Sequence, residues 1–227
     1  MAKLRKQFLG KVSGKLGDLV FRNTRRTNYI SSRPVSFNTP QDEYSINRRS
    51  RFAMAGKFSS LIISIPDLKL LWQLQAPAGM NIFNYLVKTN YNLVNPDGLT
   101  EIVSLTPPMG WIVNSENVTV NQNDIKITIS PIGENSGIRT DLEKEVRLFC
   151  VISLSKPADT KLDASILIPL VSEKVLLSLT DTLNFELKIT NQISELMNKY
   201  QTRLLLFALV TYDEEGNPVS YSKTFIG

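Results

Sequence analysis

Histidine is absent from the 227-residue chain, and cysteine occurs once. Without histidine, the chain lacks the means for Ser-His-Asp and Cys-His catalysis, for the usual zinc sites, and for haem ligation by histidine. The single Cys150 excludes a disulfide within the chain and lies in the apolar run VRLFCVISL, so we expect a buried thiol rather than a nucleophile. Carboxylate chemistry and lysine chemistry remain open to the sequence.

Long hydrophobic runs and metal-binding spacings are also missing. No apolar stretch approaches the about 18 residues typical of a membrane-spanning helix. The basic start MAKLRKQFLGKVSGK lacks the apolar core of a secretory signal, and neither D-x-D-x-D-G nor H-E-x-x-H occurs. We therefore expect a protein without a metal or other cofactor, located in the cytoplasm or in a virion, with no signal peptide and no transmembrane segment.

Charge is distributed unevenly along the chain. Residues 1–57 carry 13 lysines and arginines against 3 acidic residues, a net charge of +10, whereas residues 58–227 carry 13 against 18, a net charge of −5. A basic end on a mildly acidic remainder indicates an anionic partner for that end. Nucleic acid is one candidate partner. An acidic surface on another subunit, including a second copy of this chain, is the other.

Residues 1–38 are predicted to form a basic β-hairpin arm. The apolar residues 19–21 precede RNTRRTN and YISSRP, a pattern typical of two strands joined by a turn at residues 23–27. Pro34 is expected to end the second strand.

Three glycines in the same segment, Gly10, Gly14 and Gly17, follow the spacing G-x-x-x-G-x-x-G. This spacing matches neither the phosphate loop nor the dinucleotide-binding fingerprint. The glycines therefore indicate turns or close backbone approach rather than a nucleotide site.

Residues 39–95 are predicted to be helical. Thr39 as N-cap, Pro40 at the first helical position and Asp42 in the first turn favour a helix over residues 40–61. Ser64 precedes IPDLKLLWQLQ, which predicts a short second helix. The segment AGMNIFNYLVKTNYNLV has apolar residues at helical spacing and predicts a third, with its asparagines facing solvent or another element.

Residues 96–227 alternate between apolar and polar residues and predict an antiparallel β-sandwich. The strand candidates are DIKITISP, EVRLFCVISL, ASILIPLV, TLNFELKIT, TRLLLFALVTY and PVSYSKTF. QISELMNKY predicts a short helix, Gly216 a hairpin loop, and Trp72 and Trp111 core positions. The expected fold class is α+β, with a basic hairpin and short helices followed by a sandwich for which an immunoglobulin-like architecture is our hypothesis.

The candidate partner-binding residues are nine of the basic side chains in the first 51 residues. They are Lys11, Lys15, Arg22, Arg25, Arg26, Arg33, Arg48, Arg49 and Arg51. Such side chains contact phosphates, and the interleaved Phe8, Phe21 and Tyr29 are suited to stacking on bases. The same cations are equally suited to acids on a neighbouring subunit, and no helix-turn-helix, zinc-finger, RNP or KH signature is present.

Acidic residues cluster in DLEKE, with Asp141, Glu143 and Glu145, and in DEE at residues 213–215. We expect both clusters in solvated loops, because a glycosidase pair needs two carboxylates that face each other across a cleft.

Four motifs occur in order: a G-x-x-S-G-K-x-G start, an arginine-proline strand end, a helix with threonine and glutamine followed by R-x-x-F, and a C-terminal V-S-x-S strand. The residues that carry them are Ser13, Gly14, Lys15, Gly17, Arg33, Pro34, Thr39, Gln41, Arg49, Phe52, Val219, Ser220 and Ser222. In these motifs the chain resembles an uncharacterised Bacteroidota family, a domain of unknown function. The resemblance implies no catalytic residue and no substrate, and it favours a histidine-poor non-enzyme that ends in a β-sandwich.

Taken together, these observations favour a non-enzymatic structural or assembly protein. Its basic arm is expected to dock on neighbouring subunits, as a homo-oligomer or larger assembly such as a phage virion, tail or filament. The alternative is a nucleic-acid-binding protein that uses the same arm. The sequence indicates no small-molecule substrate and no membrane partner.

Overall fold

The computed structural model describes residues 2–3, 13–23, 28–33, 36 and 39–227. The chain divides into two compact units, residues 1–42 and residues 43–227, which we call the arm unit and the body unit. The helices and the strands that were predicted as separate segments, 39–95 and 96–227, both contribute to the body unit. The predicted turn residues 24–27, together with Gly10 and Pro34, lie outside the described residues.

The arm unit contains a four-stranded antiparallel sheet in the order β1-β4-β3-β2. Its strands are β1 Ala2–Lys3, β2 Gly14–Leu16, β3 Leu19–Asn23 and β4 Asn28–Ser32. The predicted hairpin is confirmed as β3 and β4, which pair Asn23 with Asn28. A second hairpin joins β2 to β3 through a two-residue loop, in which Gly17 has a φ of +55°. This positive φ explains a glycine at the first loop position.

Four α-helices lie in the body unit. They are α1 Glu43–Ser64, α2 Pro66–Gln75, α3 Ile82–Asn90 and α4 Asn191–Asn198. All four were predicted, but α1 begins three residues later than expected, so Thr39 is not its N-cap and Pro40 is not its first residue. Pro66 does occupy the start of α2, although its N-cap is Ile65 and not Ser64.

Eleven strands complete the described part of the body unit. They are β5 Val94–Asn95, β6 Gly98–Leu99, β7 Ser115–Val120, β8 Asp124–Ile129, β9 Glu145–Pro157, β10 Ser165–Val171, β11 Val175–Leu176, β12 Leu183–Lys188, β13 Tyr200–Tyr212, β14 Pro218–Tyr221 and β15 Phe225–Ile226. A six-stranded sheet has the order β10-β9-β13-β14, with β11 paired to β9 and β15 to β13. A three-stranded sheet has the order β12-β8-β7, and β5 pairs with β6.

The long central strands β9 and β13 are buried on both faces. In β9, Phe149 and Val151 pack in a core with the helices α1 to α3, whereas Leu148, Cys150 and Ile152 pack in a second core with the three-stranded sheet. Strand β13 alternates between the two cores in the same way. Burial on both faces explains why these two strands read as almost continuous apolar runs.

The observed elements confirm the α+β class, with antiparallel pairing throughout the described sheets. Trp72 is fully buried, and its Nε1 donates to the carbonyl of Leu105 at 2.8 Å, as expected for a core residue. Trp111 is half-buried against the second core. The immunoglobulin-like arrangement stays a prediction.

Candidate interaction surfaces

The predicted basic residues fall on two different units. Lys15, Arg22 and Arg33 are exposed in the arm unit, while α1 of the body unit carries Arg48 and Arg49, both exposed, and the half-buried Arg51. Lys11, Arg25 and Arg26 lie outside the described residues. By unit, residues 1–42 have nine lysines and arginines against two aspartates, a net charge of +7, and residues 43–227 have seventeen against nineteen acids, a net charge of −2.

The register of the arm sheet separates an apolar face from a basic face. Directly opposed residues share a face, and successive residues alternate between faces. Leu16 opposes Leu19, and Phe21 opposes Ile30, so these four residues define the apolar face. The basic face follows from the remaining pairings, which are Lys15 with Val20, Val20 with Ser31, and Arg22 with Tyr29.

Two of the four residues on the apolar face are exposed and two are half-buried. Leu16 is 70% exposed and Leu19 is 43% exposed, while Phe21 and Ile30 are half-buried. None of the arm-unit side chains whose burial is described falls in the buried class. Two of the residues predicted to stack on bases therefore lie on different faces of the sheet. Phe21 belongs to the apolar face and Tyr29 to the basic face. Phe8 lies outside the described residues.

A cleft on the body unit combines two arginines with two aromatic rings. Arg48, Arg49 and Phe52 of α1 and Tyr91, in the 3-10 turn after α3, line a volume of about 330 Å³. Phe52 is 56% exposed. The sequence predicted the arginines as partner-binding candidates but did not predict their aromatic neighbours. Helical spacing places Phe52 one turn from Arg48, whereas the position of Tyr91 depends on how α3 packs on α1.

A smaller cleft of about 220 Å³ lies between residues 101–108 and the C-terminal residues 223–224. Among the described residues, Glu101 and Lys223 are the charged ones that line it.

Glu143 was expected in a solvated loop, and this prediction is wrong. Glu143 is buried and only 3% exposed. Oε1 accepts from the backbone N–H of Arg139 at 2.9 Å, and Oε2 accepts from the hydroxyls of Ser220, at 2.6 Å, and Thr211. The chain reverses direction at residues 139–143, which points the carboxylate inward. There the three hydrogen-bond donors named above take the place of solvent water. The DEE loop, in contrast, is solvent-accessible, as predicted.

Tyr212 at the end of β13 connects the six-stranded sheet to α2. Its hydroxyl donates to Oδ2 of Asp67 at 2.6 Å, and Nη1 of Arg147 lies 3.7 Å from the same oxygen. Nζ of Lys174 lies 4.1 Å from the centre of the Tyr212 ring. Burial, and then the hydrogen bond to Asp67, raise the pKa of Tyr212 far above its usual value. The phenol is therefore a neutral donor that holds α2 against the sheet.

Cys150 is fully buried, which confirms the expected core thiol. Desolvation raises the pKa of this thiol well above its ordinary range, so the buried thiol is protonated at neutral pH. Within residues 13–23, 28–33, 36 and 39–227, no group of three or more acidic or cysteine side chains is arranged to hold a metal ion. No helix in the described part of the chain is long and apolar enough to cross a bilayer.

Comparison with protein-family models, with curated proteins and with solved structures gave no match to this chain. The resemblance to the Bacteroidota family therefore stays a prediction that depends on the motifs. The structure does place several motif residues. Gly17 forms a turn, Ser220 donates to Glu143, Oγ of Ser222 accepts from the N–H of Leu209 at 2.8 Å, and Arg49 and Phe52 line the α1 cleft.

Proposed function

We propose that this chain is a non-enzymatic assembly protein whose arm unit docks on the body unit of a neighbouring copy. The observation that carries the proposal is the partly exposed apolar face of the arm sheet, formed by Leu16, Leu19, Phe21 and Ile30. Strands of two to five residues, with no side chain in the buried class among those whose burial is described, form a sheet of low stability unless another surface covers one face. Covering an apolar side chain contributes about 1.5–3 kcal/mol when burial is complete.

A second copy fits this face better than an unrelated partner because of charge. The arm unit has a net charge of +7 and the body unit a net charge of −2, so arm-to-body contact between copies joins opposite charges. Contact between two different surfaces of the same chain is heterologous, and it generates rings or open filaments. A particle, tail or filament, including that of a phage, is the setting we propose.

Sedimentation velocity over a range of protein concentrations tests this function. The wild-type chain should form oligomers as concentration rises, and the double variant Leu16→Ser, Leu19→Ser should remain a monomer. Lys15→Gln is the matched control, since it changes the opposite face of the same strand. We expect it to shift the salt dependence of association and to leave the oligomers in place.

Two outcomes would overturn the proposal. The first is a wild-type chain, with residues 1–57 intact, that stays strictly monomeric at high concentration and low salt. That result would show that the chain does not assemble. Unchanged oligomers in the leucine double variant would show that the apolar face is not the docking surface.

A further inference from the structure

We propose that the arm unit of one copy docks on one end of the six-stranded sheet of its neighbour, where β9 and β14 begin and β11 and β13 end. This surface consists of residues 141–145, 173–177 and 211–219, and we call it the sheet end. The inference rests on the proposed function and identifies the place on the body unit that receives the arm.

Strand register and hydrogen bonds bring the three segments of the sheet end together. The register places Leu176 opposite Glu145, and Glu145 opposite Tyr212. Tyr212 is in turn opposite Pro218, so these residues form one row across four strands. The backbone N–H of Lys144, in the segment before β9, donates to the carbonyl of Tyr212 at 2.8 Å. The three segments are therefore neighbours at the same end of the sheet.

Large apolar side chains are exposed at the sheet end. Leu176 is 81% exposed although it belongs to a strand, and Leu142 and Val219 are 43% and 36% exposed. The arm unit exposes Leu16 and Leu19 in the same way. Association removes apolar surface of this kind from water, which is favourable. The sheet end and the apolar face of the arm sheet are therefore both stabilised when they cover each other.

Charge selects the arm unit as the occupant. The three segments of the sheet end contain seven acidic residues and two lysines, a net charge of −5. The rest of the body unit has fifteen lysines and arginines against twelve acidic residues, a net charge of +3. The arm unit has a net charge of +7. It is therefore attracted to the sheet end and repelled by the remainder of the body unit.

Two other exposed apolar side chains of the body unit fit a basic partner less well. Phe52 shares the α1 cleft with Arg48, and Ile102 lies in the smaller cleft, where Lys223 opposes the charge of Glu101. Neither cleft has an excess of acidic side chains among the described residues that line it. The sheet end, in contrast, combines exposed leucines with the solvent-accessible DEE loop.

Cations on the basic face of the arm sheet act on the sheet end across one layer of strands. Lys15 and Arg22 belong to the face opposite the apolar one. Packed layers are about 10 Å apart, which is about one Debye length at 0.1 M salt. Attraction between the two surfaces therefore does not require direct ion pairs, and we expect it to weaken as salt is added.

The experiment mixes two full-length variants, each of which lacks one side of the contact. Leu16→Ser, Leu19→Ser alters the arm, and Leu142→Ser, Leu176→Ser alters the sheet end. Each variant alone should remain a monomer in sedimentation velocity at concentrations where the wild type assembles. An equimolar mixture should form a 1:1 dimer and no larger species. The intact arm of one variant docks on the intact sheet end of the other, and the series of contacts stops there.

A second pair of variants tests charge at a constant total charge. Glu214→Gln, Glu215→Gln removes two exposed carboxylates from the sheet end, and Glu186→Gln, Glu195→Gln removes two exposed carboxylates from β12 and α4. At low salt the first variant should raise the Kd of association by about tenfold, within the range for two exposed ion pairs. The effect should shrink at about 0.5 M salt. The second variant should assemble as the wild type does.

Leu74→Ser is the matched control for the leucine variants. Leu74 is 69% exposed and lies in the last turn of α2, outside the three segments of the sheet end. This variant should assemble as the wild type does. Thermal unfolding of every variant shows whether it has kept the fold, which is expected because the substituted side chains are exposed.

The outcomes separate this inference from the proposed function. If Leu142→Ser, Leu176→Ser assembles as the wild type does while the arm variant stays monomeric, the arm docks elsewhere and only this inference is wrong. A mixture of the two leucine variants that stays monomeric would also overturn it, because an intact arm would then have failed to bind an intact sheet end. Equal weakening by the two glutamate pairs would indicate attraction by total charge and contradict a defined surface. A wild-type chain that never associates overturns both proposals.

Discussion

Oγ of Ser220 on β14 donates a 2.6 Å hydrogen bond to Oε2 of Glu143, a carboxylate that no cation pairs with among the described residues. The same oxygen accepts from Thr211 of β13, and Ser220 also accepts from Nε1 of Trp111 at 3.3 Å. The carboxylate thus fastens the loop before β9 to the pair β13 and β14. A buried carboxylate is tolerated at this position because its donors are already in place.

The first prediction concerns this hydrogen-bond group. Ser220→Ala should lower the free energy of unfolding by about 1–3 kcal/mol, because a hydrogen bond to a charged acceptor is lost and Glu143 keeps fewer donors. Glu143→Ala should lower the free energy of unfolding by a larger amount, because it leaves three hydrogen-bond donors without their acceptor. Urea unfolding measures both values. Ser60→Ala on the exposed side of α1 is the control and should change stability little; equal losses in Ser60→Ala and Ser220→Ala would contradict the assigned role.

The second prediction compares the same substitution at two glycines. A Cβ at Gly110 would lie 2.5 Å from the carbonyl carbon of Ser222, which is backbone and cannot move aside. Gly110→Ala should therefore destabilise the fold by about 1–3 kcal/mol. At Gly56, within α1, an added Cβ would make an ordinary 3.7 Å contact with Phe83. Gly56→Ala should stabilise by about 0.5–1 kcal/mol. Thermal or urea unfolding gives the sign of the stability change for each variant. Equal losses of stability in Gly110→Ala and Gly56→Ala would be inconsistent with the packing described.

The third prediction is a dependence on alkaline pH that comes from Cys150. Burial raises the pKa of this thiol in the folded chain, whereas the thiol of the unfolded chain ionises near its ordinary pKa of about 8.5. Above that pH the unfolded chain releases a proton that the folded chain retains. The stability contribution is therefore present below about pH 8.5 and is lost by about 1.4 kcal/mol per pH unit above it.

Cys150→Ala tests the assignment. The free energy of unfolding of wild type and variant should differ by a constant amount below about pH 8 and converge above about pH 9. Parallel curves across this range would contradict the prediction. A thiol reagent should leave Cys150 unmodified in the folded protein and modify it after denaturation.

The fourth prediction concerns Tyr212 and Asp67. Tyr212→Phe removes the 2.6 Å hydrogen bond that holds the first turn of α2 on the sheet, and it should lower the free energy of unfolding by about 1.5–3 kcal/mol. Tyr44→Phe is the control, because the Tyr44 side chain is exposed. Hydrogen exchange should also increase in α2 more than in β9. Unchanged exchange in α2 would show that the hydroxyl does not secure this helix.

Periodicity and turn chemistry predicted most of the elements. Alternating isoleucines gave β8, and the apolar runs around Cys150 and Leu206 gave β9 and β13. The segment after Ser64 gave α2, and apolar residues at helical spacing gave α3. The start of α1 was misplaced, because Thr39, Pro40 and Asp42 all carry helix-start signals within four residues. Local signals of this kind do not decide which turn the packing selects.

The candidate surfaces were predicted less completely than the elements. The charge count found the arginines, but it grouped side chains of two units into one basic end. The apolar face of the arm sheet was missed, since it depends on the register that opposes Leu16 to Leu19 and Phe21 to Ile30. One residue of slip would place the opposite set of side chains on that face.

The sequence by itself determined the absence of histidine chemistry, the presence of the four helices and of most of the longer strands, and the excess of positive charge near the N-terminus. Those properties follow from residue identity and from spacing along the chain. Only the tertiary structure decided that Glu143 is buried, that Tyr91 lies beside Phe52, and that the arm sheet has one apolar and one basic face. These properties depend on contacts between residues far apart in sequence, and such contacts are set by register and by helix packing rather than by local pattern.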